Sequence, residues 1–153
     1  MNETVTGSVW KELSRFLKSN RSVVDVAVAY VGRGSSALLK LPPGSRLVVD
    51  ATEGSVKRGL TCPDDLAELQ TKGVKVFCMP NLHAKVYAFS QRAYIGSANA
   101  SFNSATKLIE AMFCTTDRHA VKQAKAFVRD LCLYPLTPEV LKRLKKIYRP
   151  PVW

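Results

Sequence analysis

An almost unbroken apolar run, VVDVAVAYV, spans residues 23–31 and sets the main requirement on the fold. Its β-branched content and the near absence of polar positions predict a strand that is buried on both faces. Such a strand needs other elements packed against each face of its sheet. Asp25 is the charged residue within the run, and we expect it at a strand end or sheet edge rather than in a catalytic role.

Segments typical of strands and helices alternate along the rest of the chain. Apolar or alternating patterns predict further strands at residues 46–49, 74–79, 83–89, 93–95 and 108–115. Apolar stripes at helical spacing predict helices at residues 9–18, 64–72, 117–133 and from 137 onward. Residues 51–61 fit either a short helix or a loop, and residues 100–106 are predicted to be a loop. This order predicts the α/β class: a sandwich in which a mixed β-sheet is flanked by helices, as a single domain over residues 1–153.

A glycine- and serine-rich segment, GRGSS at residues 32–36, follows the first buried strand. It has the composition of a phosphate-binding loop but matches neither GxGxxG nor GxxxxGK[ST]. We therefore interpret it as a turn into a short helix, SSALLK.

The charge balance of the chain is strongly basic. Lysine and arginine number 23 against 12 aspartates and glutamates, which gives a formal net charge of +11. Such an excess favours binding to a polyanion, either nucleic acid or an anionic membrane surface. No long amphipathic helix places Trp, Phe and Leu opposite lysines, so nucleic acid is the better prediction. The alternative is that the basic residues are only the solvated faces of helices.

The composition also argues against several other classes of protein. No apolar run approaches the roughly 20 residues of a membrane span, and the first residues lack a secretory pattern, so we expect a soluble cytoplasmic protein. The cysteines at positions 62, 78, 114 and 132 are widely spaced and predict neither a zinc site nor a disulfide framework. Two histidines and no carboxylate cluster lead us to expect no metal and no other cofactor.

The residues with the clearest chemical potential lie in NLHAKVYAFSQRAYIGSANAS, positions 81–101. Because successive side chains of a strand point to opposite faces, His83 and Lys85 are predicted to project side by side. A hairpin would bring the turn-like segment Gly96-Ser97-Ala98-Asn99 back beside His83. An imidazole, a cation, a hydroxyl, an amide and backbone N–H groups would then converge, which is the equipment needed to hold and attack a phosphate.

This pattern resembles the HKD motif of the phospholipase D superfamily, whose usual form is HxKx4Dx6GSxN. His83 and Lys85 match its beginning, and residues 96–99 match its end. Ser90 stands where the family has aspartate, and the spacer that follows is one residue shorter. Members that resemble metal-independent nucleases, including a restriction-endonuclease branch, also lack this aspartate. Glu110, eleven residues after Asn99, matches the glutamate that nucleases of this family place behind the catalytic histidine.

The resemblance implies a single-motif phosphodiesterase with His83, Lys85, Ser97, Asn99 and Glu110 as catalytic residues. One neutral His83 would attack phosphorus to form a phosphohistidine, while a second, protonated His83 would give a proton to the leaving oxygen. Lys85, Ser97 and Asn99 would bind the phosphoryl oxygens. Glu110 would hydrogen-bond the far ring nitrogen of His83 and fix its tautomer.

The single motif further implies a homodimer in which both subunits contribute to one site on the two-fold axis. In a monomer, the second acid-base group would have to be His119. That residue lies in a polar helix start, TTDRHA, where a solvent-facing position is the better prediction.

The expected substrate is DNA, with RNA as the alternative, because of the positive charge. No module for reading base edges is recognisable, so a separate DNA-recognition domain or subunit would supply any sequence specificity. Three alternatives remain: a catalytically impaired module that binds nucleic acid, a phospholipid phosphodiesterase, and a metal-dependent PD-(D/E)xK nuclease. The third rests on Asp50, Glu53 and Lys57, which lack the required spacing.

Overall fold

Residues 25–28, within the apolar run 23–31, form an interior strand of a seven-stranded mixed sheet, in a computed structural model that describes residues 1–152. The strand order is β1-β7-β6-β5-β2-β3-β4. Their bounds are β1 Asn2–Gly7, β2 Asp25–Val28, β3 Arg46–Val49, β4 Lys75–Cys78, β5 Val86–Ala88, β6 Ala93–Gly96 and β7 Glu110–Thr115. Strands β2, β3 and β4 are parallel, whereas β5, β6, β7 and β1 add antiparallel. The predicted mixed sheet is confirmed.

Six α-helices accompany the sheet in the described part of the chain. They are α1 Val9–Ser19, α2 Glu53–Lys57, α3 Pro63–Thr71, α4 Phe102–Thr106, α5 Arg118–Asp130 and α6 Pro138–Ile147. Four of them, α2, α4, α5 and α6, begin with a side-chain cap. For example, the Asp117 carboxylate accepts from the Ala120 N–H at 2.9 Å, and the Thr137 hydroxyl accepts from the Val140 N–H at 3.2 Å. None of these helices is long and apolar enough to cross a membrane.

Both faces of the sheet are covered, as burial of β2 on both sides requires. On one face, β2 residues Val26 and Val28 join a large apolar core with side chains of α1, α3 and α6. On the other face, Ala27 packs in a smaller core with Val121 and Val128 of α5. Alternate residues of one strand thus serve two helical layers, which is the predicted flanked-sheet sandwich.

Two elements were missed by the sequence analysis. Strand β1 is polar, and only its backbone pairing with β7 at the sheet edge makes it a strand. Helix α4 lies within residues 100–106, predicted to be a loop, and its start is capped by the Ser101 hydroxyl, which accepts from the Ser104 N–H. Short polar segments of this kind carry no apolar periodicity, so tertiary contacts decide their structure.

Other predicted elements are shorter than the sequence suggested. Regular pairing in the predicted strand 83–89 is confined to β5, so His83 and Lys85 lie in the segment that leads into it. The turn at residues 32–36 leads into one turn of 3₁₀ helix, Ser35–Ala37, rather than a longer helix. Asp25 begins β2 in the sheet interior, where its carboxylate pairs with Arg46 and Arg129 at 3.0 and 3.1 Å, so the strand-end expectation is correct.

Candidate active site

The β5–β6 hairpin brings the two halves of the motif together. The strands are antiparallel with Val86 opposite Ile95, and the Gly96 N–H donates to the Lys85 carbonyl at 3.1 Å. The 96–99 segment therefore lies beside the chain that carries His83 and Lys85. The Nζ atom of Lys85 is 3.4 Å from each ring nitrogen of His83. The predicted side-by-side placement of imidazole and ammonium is thus present.

The two residues differ in environment. His83 is exposed, whereas Lys85 is 7% exposed. Burial lowers the pKa of Lys85, and the negative charge of Glu110 raises it in part. An ammonium with little water around it and an exposed imidazole beside it form a pair that can bind an anion and present a nucleophile to it.

Glu110 is buried at the start of β7 and is held by two serine hydroxyls. Ser97 Oγ donates to Glu110 Oε2, and Ser104 Oγ donates to Oε1 at 2.8 Å. Ser97 Oγ in turn accepts from the Ala111 N–H at 3.0 Å. The expected hydrogen bond between Glu110 and His83 is not among those formed within residues 1–152. The carboxylate instead links the 96–99 segment to helix α4, which the sequence analysis had not predicted.

Asn99 has its side-chain oxygen occupied and its amide nitrogen open. Its Oδ1 accepts from the Tyr30 N–H at 3.2 Å, which ties the motif to the end of the β2 segment. Across the described chain, no hydrogen bond is formed by the Asn99 NH₂ group. That group is therefore free to donate to an anion bound beside Lys85.

Two buried aromatic residues support the motif from within the core. Trp10 Nε1 of α1 donates to the Asn99 carbonyl at 2.9 Å, and Tyr87 Oη donates to the Ala98 carbonyl at 2.9 Å. Their rings meet edge to face at 5.7 Å. Burial, and then the charge of Glu110, raise the pKa of Tyr87 well above its usual value, so the phenol stays a neutral donor. Neither aromatic residue was assigned a role from the sequence.

Gly96 is required by close packing rather than by an unusual backbone angle. A Cβ at this position would lie 2.2 Å from the Ala111 carbonyl oxygen and 2.8 Å from the Met112 Cα. Only a residue without a side chain allows β6 and β7 to approach this closely at the motif.

The other candidate residues lie outside this cluster. Ser90, at the position of the family's aspartate, is in the turn at the opposite end of the hairpin, where its carbonyl accepts from Lys125. His119 is exposed in the first turn of α5. Its neighbour Arg118 lines a cleft together with Ser90, so the start of α5 lies next to the hairpin turn. His119 is therefore at the far end from His83.

The residues considered for a metal-dependent nuclease have structural roles. Asp50 Oδ1 accepts from the N–H and hydroxyl of Thr52 at 3.1 and 2.7 Å, ahead of helix α2. Lys57 pairs with Glu53 at 3.6 Å along that helix. This arrangement does not assemble the three side chains into one site.

Comparisons with known proteins agree with the geometry. A family model described as the cardiolipin synthase, PLD-like domain matches residues 13–131, more than three quarters of the chain. No curated protein matches in sequence. NucT from Helicobacter pylori is similar in structure with a TM-score of 0.70 and 16% identity, covering 89% of this chain and 98% of NucT. Nuc from Salmonella typhimurium, a phospholipase D family member, has a TM-score of 0.66 and 15% identity, covering 89% of this chain and 97% of Nuc.

A more distant likeness is to TrmBL2, an archaeal chromatin protein described as showing a novel mode of DNA binding. Its TM-score is 0.56 at 9% identity, over 84% of this chain and 51% of TrmBL2. The family match covers the hairpin, its His-x-Lys and Gly-Ser-x-Asn residues, and the strand that carries Glu110. The chain therefore belongs to the phospholipase D superfamily, through a PLD-like domain that includes the whole motif.

Proposed function

We propose that this protein is a metal-independent nuclease that hydrolyses phosphodiester bonds of DNA through a phosphohistidine intermediate. One observation carries the proposal: Lys85 Nζ lies 3.4 Å from both ring nitrogens of His83, beside the 96–99 segment. A nucleophile and a fixed cation thus lie side by side, next to the segment that carries the Asn99 amide donor.

The first half of the reaction transfers the phosphoryl group to the protein. A ring nitrogen of neutral His83 forms a bond to phosphorus, and the bond from phosphorus to the leaving oxygen breaks. The partner subunit's His83, protonated, gives its proton to that oxygen. In the second half, the partner subunit's His83, now neutral, takes a proton from water, whose oxygen attacks phosphorus and breaks the N–P bond.

The remaining motif residues stabilise the charge that builds on the phosphoryl oxygens. Lys85 supplies a positive charge from a buried position, and the Asn99 NH₂ group supplies a hydrogen-bond donor. Ser97 contributes by holding the segment to Glu110, and its hydroxyl can turn to a phosphoryl oxygen when the substrate arrives. Glu110 acts indirectly. It holds Ser97 by a hydrogen bond, and its negative charge favours the protonated form of Lys85.

A homodimer is proposed because the reaction needs two acid-base groups at one phosphate. The chain has two histidines, and His119 lies at the far end of the hairpin. Apolar residues are exposed next to the motif: Ile95 is 43% exposed, Phe113 45% and Ile109 93%. Exposed apolar side chains around an incomplete site fit a self-complementary contact with a second copy.

DNA is the proposed substrate because the chain carries a formal net charge of +11, and because the DNA-binding protein TrmBL2 contains a similar fold. Sequence preference would come from a separate recognition domain or subunit. Phospholipid hydrolysis is the second candidate, since the matching family model is described by cardiolipin synthase. A module that only binds nucleic acid is less well supported, because binding requires no acid-base histidine beside Lys85.

Cleavage assays in excess EDTA test this proposal. Wild type and His83→Ala would be compared on plasmid DNA, single-stranded DNA, RNA and phosphatidylglycerol vesicles over a salt series. We expect the wild type to cut DNA in EDTA, less so as salt rises, and the variant to be inactive. Loss of cutting in EDTA, cutting by His83→Ala, or turnover of lipid alone would each overturn the proposal. DNA binding without cutting by the wild type would support the binding module.

A further inference from the structure

A basic cleft lies at the end of the β5–β6 hairpin opposite the active site. It is an open cavity of about 880 Å³ between the end of α1, the hairpin turn at residues 89–92, and the first half of α5. We call it the distal cleft and define it by its four basic lining residues, Arg92, Arg118, Lys122 and Lys125. It includes none of the residues of the candidate active site.

The electrostatics of the distal cleft are one-sided. No aspartate or glutamate is among its lining residues. Arg118, Lys122 and Lys125 recur at spacings of four and three residues along α5, so they share one side of the helix. Within residues 1–152, Arg118 and Lys122 form no ion pair or hydrogen bond through their side chains. The adjacent acid, Asp117, uses its carboxylate to cap α5.

Two of the four cations are held in place by the fold. The Arg92 guanidinium lies 4.2 Å from the centre of the Phe16 ring and donates to Tyr94 Oη at 3.4 Å. Lys125 Nζ donates to the Ser90 carbonyl at 2.9 Å, which fastens α5 to the hairpin turn. The cleft therefore differs from a solvated basic helix face, because its walls are fixed relative to each other and less side-chain freedom is lost on binding.

We propose that the distal cleft is a second, noncatalytic binding site for the phosphate backbone of a nucleic acid. The inference rests on the proposed function, which makes nucleic acid the substrate. Lys85 and Ser90 are five residues apart on the hairpin, about 17 Å at roughly 3.3 Å per residue, which corresponds to about five base-pair steps of duplex. The two sites lie at opposite ends of the sheet, so the segment held in the cleft is not the phosphate being cut. The cleft anchors the substrate and leaves the chemical step unchanged.

The test compares two double variants that remove equal charge. Arg118→Ala/Lys122→Ala alters the cleft, and Lys142→Ala/Lys146→Ala alters exposed positions on α6. Binding of a fluorescent 30-base-pair duplex would be measured by anisotropy across a salt series, with His83→Ala added to each protein to prevent cutting. Hydrolysis of bis(p-nitrophenyl) phosphate, too small to reach both sites, would be measured with His83 intact.

We expect the cleft variant to bind the duplex about tenfold more weakly or worse at 0.1 M salt, with a log–log salt slope smaller by about 1.8. The α6 variant should change far less, and Arg118→Lys/Lys122→Arg should bind like wild type. Hydrolysis of the small diester should be unchanged in the cleft variant.

Equal losses of duplex binding in the two double variants, or none, would overturn the proposal. Cosedimentation with phosphatidylglycerol vesicles is measured for the same proteins, and a cleft variant that loses only vesicle binding would also overturn it. If the wild type fails to hydrolyse the small diester, the proposed function fails while the duplex comparison still decides the cleft.

Discussion

The indole nitrogen of Trp10 donates a 2.9 Å hydrogen bond to the backbone carbonyl of Asn99, a residue 89 positions later in the chain. This contact and the bond from Tyr87 to Ala98 hold the 96–99 segment from the core side. The segment that would bind the phosphate therefore depends on α1, which contributes no side chain to the chemistry.

Tyr87→Phe should reduce both stability and activity. It removes the donor to the buried Ala98 carbonyl without changing the ring, so we expect a loss of about 1–3 kcal/mol in the free energy of unfolding. The rate of phosphodiester cleavage should fall further than the folded fraction does, because Asn99 is less well positioned. Urea unfolding and kcat on the small diester measure the two effects. A variant with reduced stability but full kcat would show that Tyr87 is purely structural.

Gly96→Ala should be strongly destabilising. Its Cβ would lie 2.2 Å from the Ala111 carbonyl oxygen, so β6 and β7 must separate, at a cost of about 3 kcal/mol or more. Gly54→Ala in α2 is the matched control, since nothing lies within 4 Å of its Cβ, and it should be neutral or stabilising by about 0.5–1 kcal/mol. Thermal unfolding of both variants decides the point. Similar midpoints for the two would contradict the close approach of the strands.

The fall of kcat/KM at alkaline pH should follow the loss of the proton from the Lys85 ammonium. Burial lowers its pKa, so the ammonium is lost at a pH below the ordinary lysine value of about 10.5. Glu110 raises this pKa, and Glu110→Gln should move the alkaline limb of kcat/KM to still lower pH. Rates on the small diester from pH 6 to 11 test the direction. An alkaline limb that stays in place in Glu110→Gln would disconnect Glu110 from Lys85.

The free energy of unfolding should also depend on the protonation of Lys85, and the direction of this dependence follows from its lowered pKa. With a lowered folded-state pKa, the unfolded chain binds more protons at Lys85 between that pKa and about 10.5. This group therefore makes stability rise with pH across that window. Lys85→Met should lack the rise, whereas Lys72→Met, on an exposed lysine of the α3 end, should retain it. Unfolding by urea at several alkaline pH values provides the measurement.

Ile95→Glu should separate the proposed dimer. Ile95 is 43% exposed beside Gly96, and a buried, unpaired carboxylate at a subunit contact would oppose association. We expect a monomer by analytical ultracentrifugation and loss of cleavage, because each site would lack its second histidine. Leu133→Glu is the control, because Leu133 is 62% exposed and follows α5, away from the motif. It should leave the oligomeric state and the cleavage rate unchanged. A monomeric wild type with full activity would refute the shared site.

The sequence was sufficient for the parts of the fold that have local patterns. Residues 46–49 were predicted as a strand and form β3, and the hairpin brings His83, Lys85 and residues 96–99 together as expected. Strand alternation and turn composition are properties of neighbouring residues, so they are readable without the fold. The membership of the phospholipase D superfamily was likewise visible in the motif.

What the sequence could not supply depends on distant contacts. Trp10 reaches Asn99, 89 positions later, only because α1 packs under the hairpin. The distal cleft is another example, since Arg92 and Arg118 are 26 positions apart and meet through tertiary packing. The contact between Ser104 and Glu110 is local, but it was missed because α4 is a short polar helix without apolar periodicity. The roles of His83, Lys85, Ser97, Asn99 and Glu110 in catalysis stay predictions until the variants are measured.

The Trp10–Asn99 contact also has a consequence for when activity first arises. It closes a loop of 89 residues, and strand β1 pairs with β7 as far along the chain as Thr115. Contacts of such sequence separation form late, because the entropy of closing long loops must be overcome first. In a chain still being synthesised, the β5–β6 hairpin can pair before Trp10 and β1 hold the 96–99 segment from the core side. Folding itself would thus delay activity until the site is assembled.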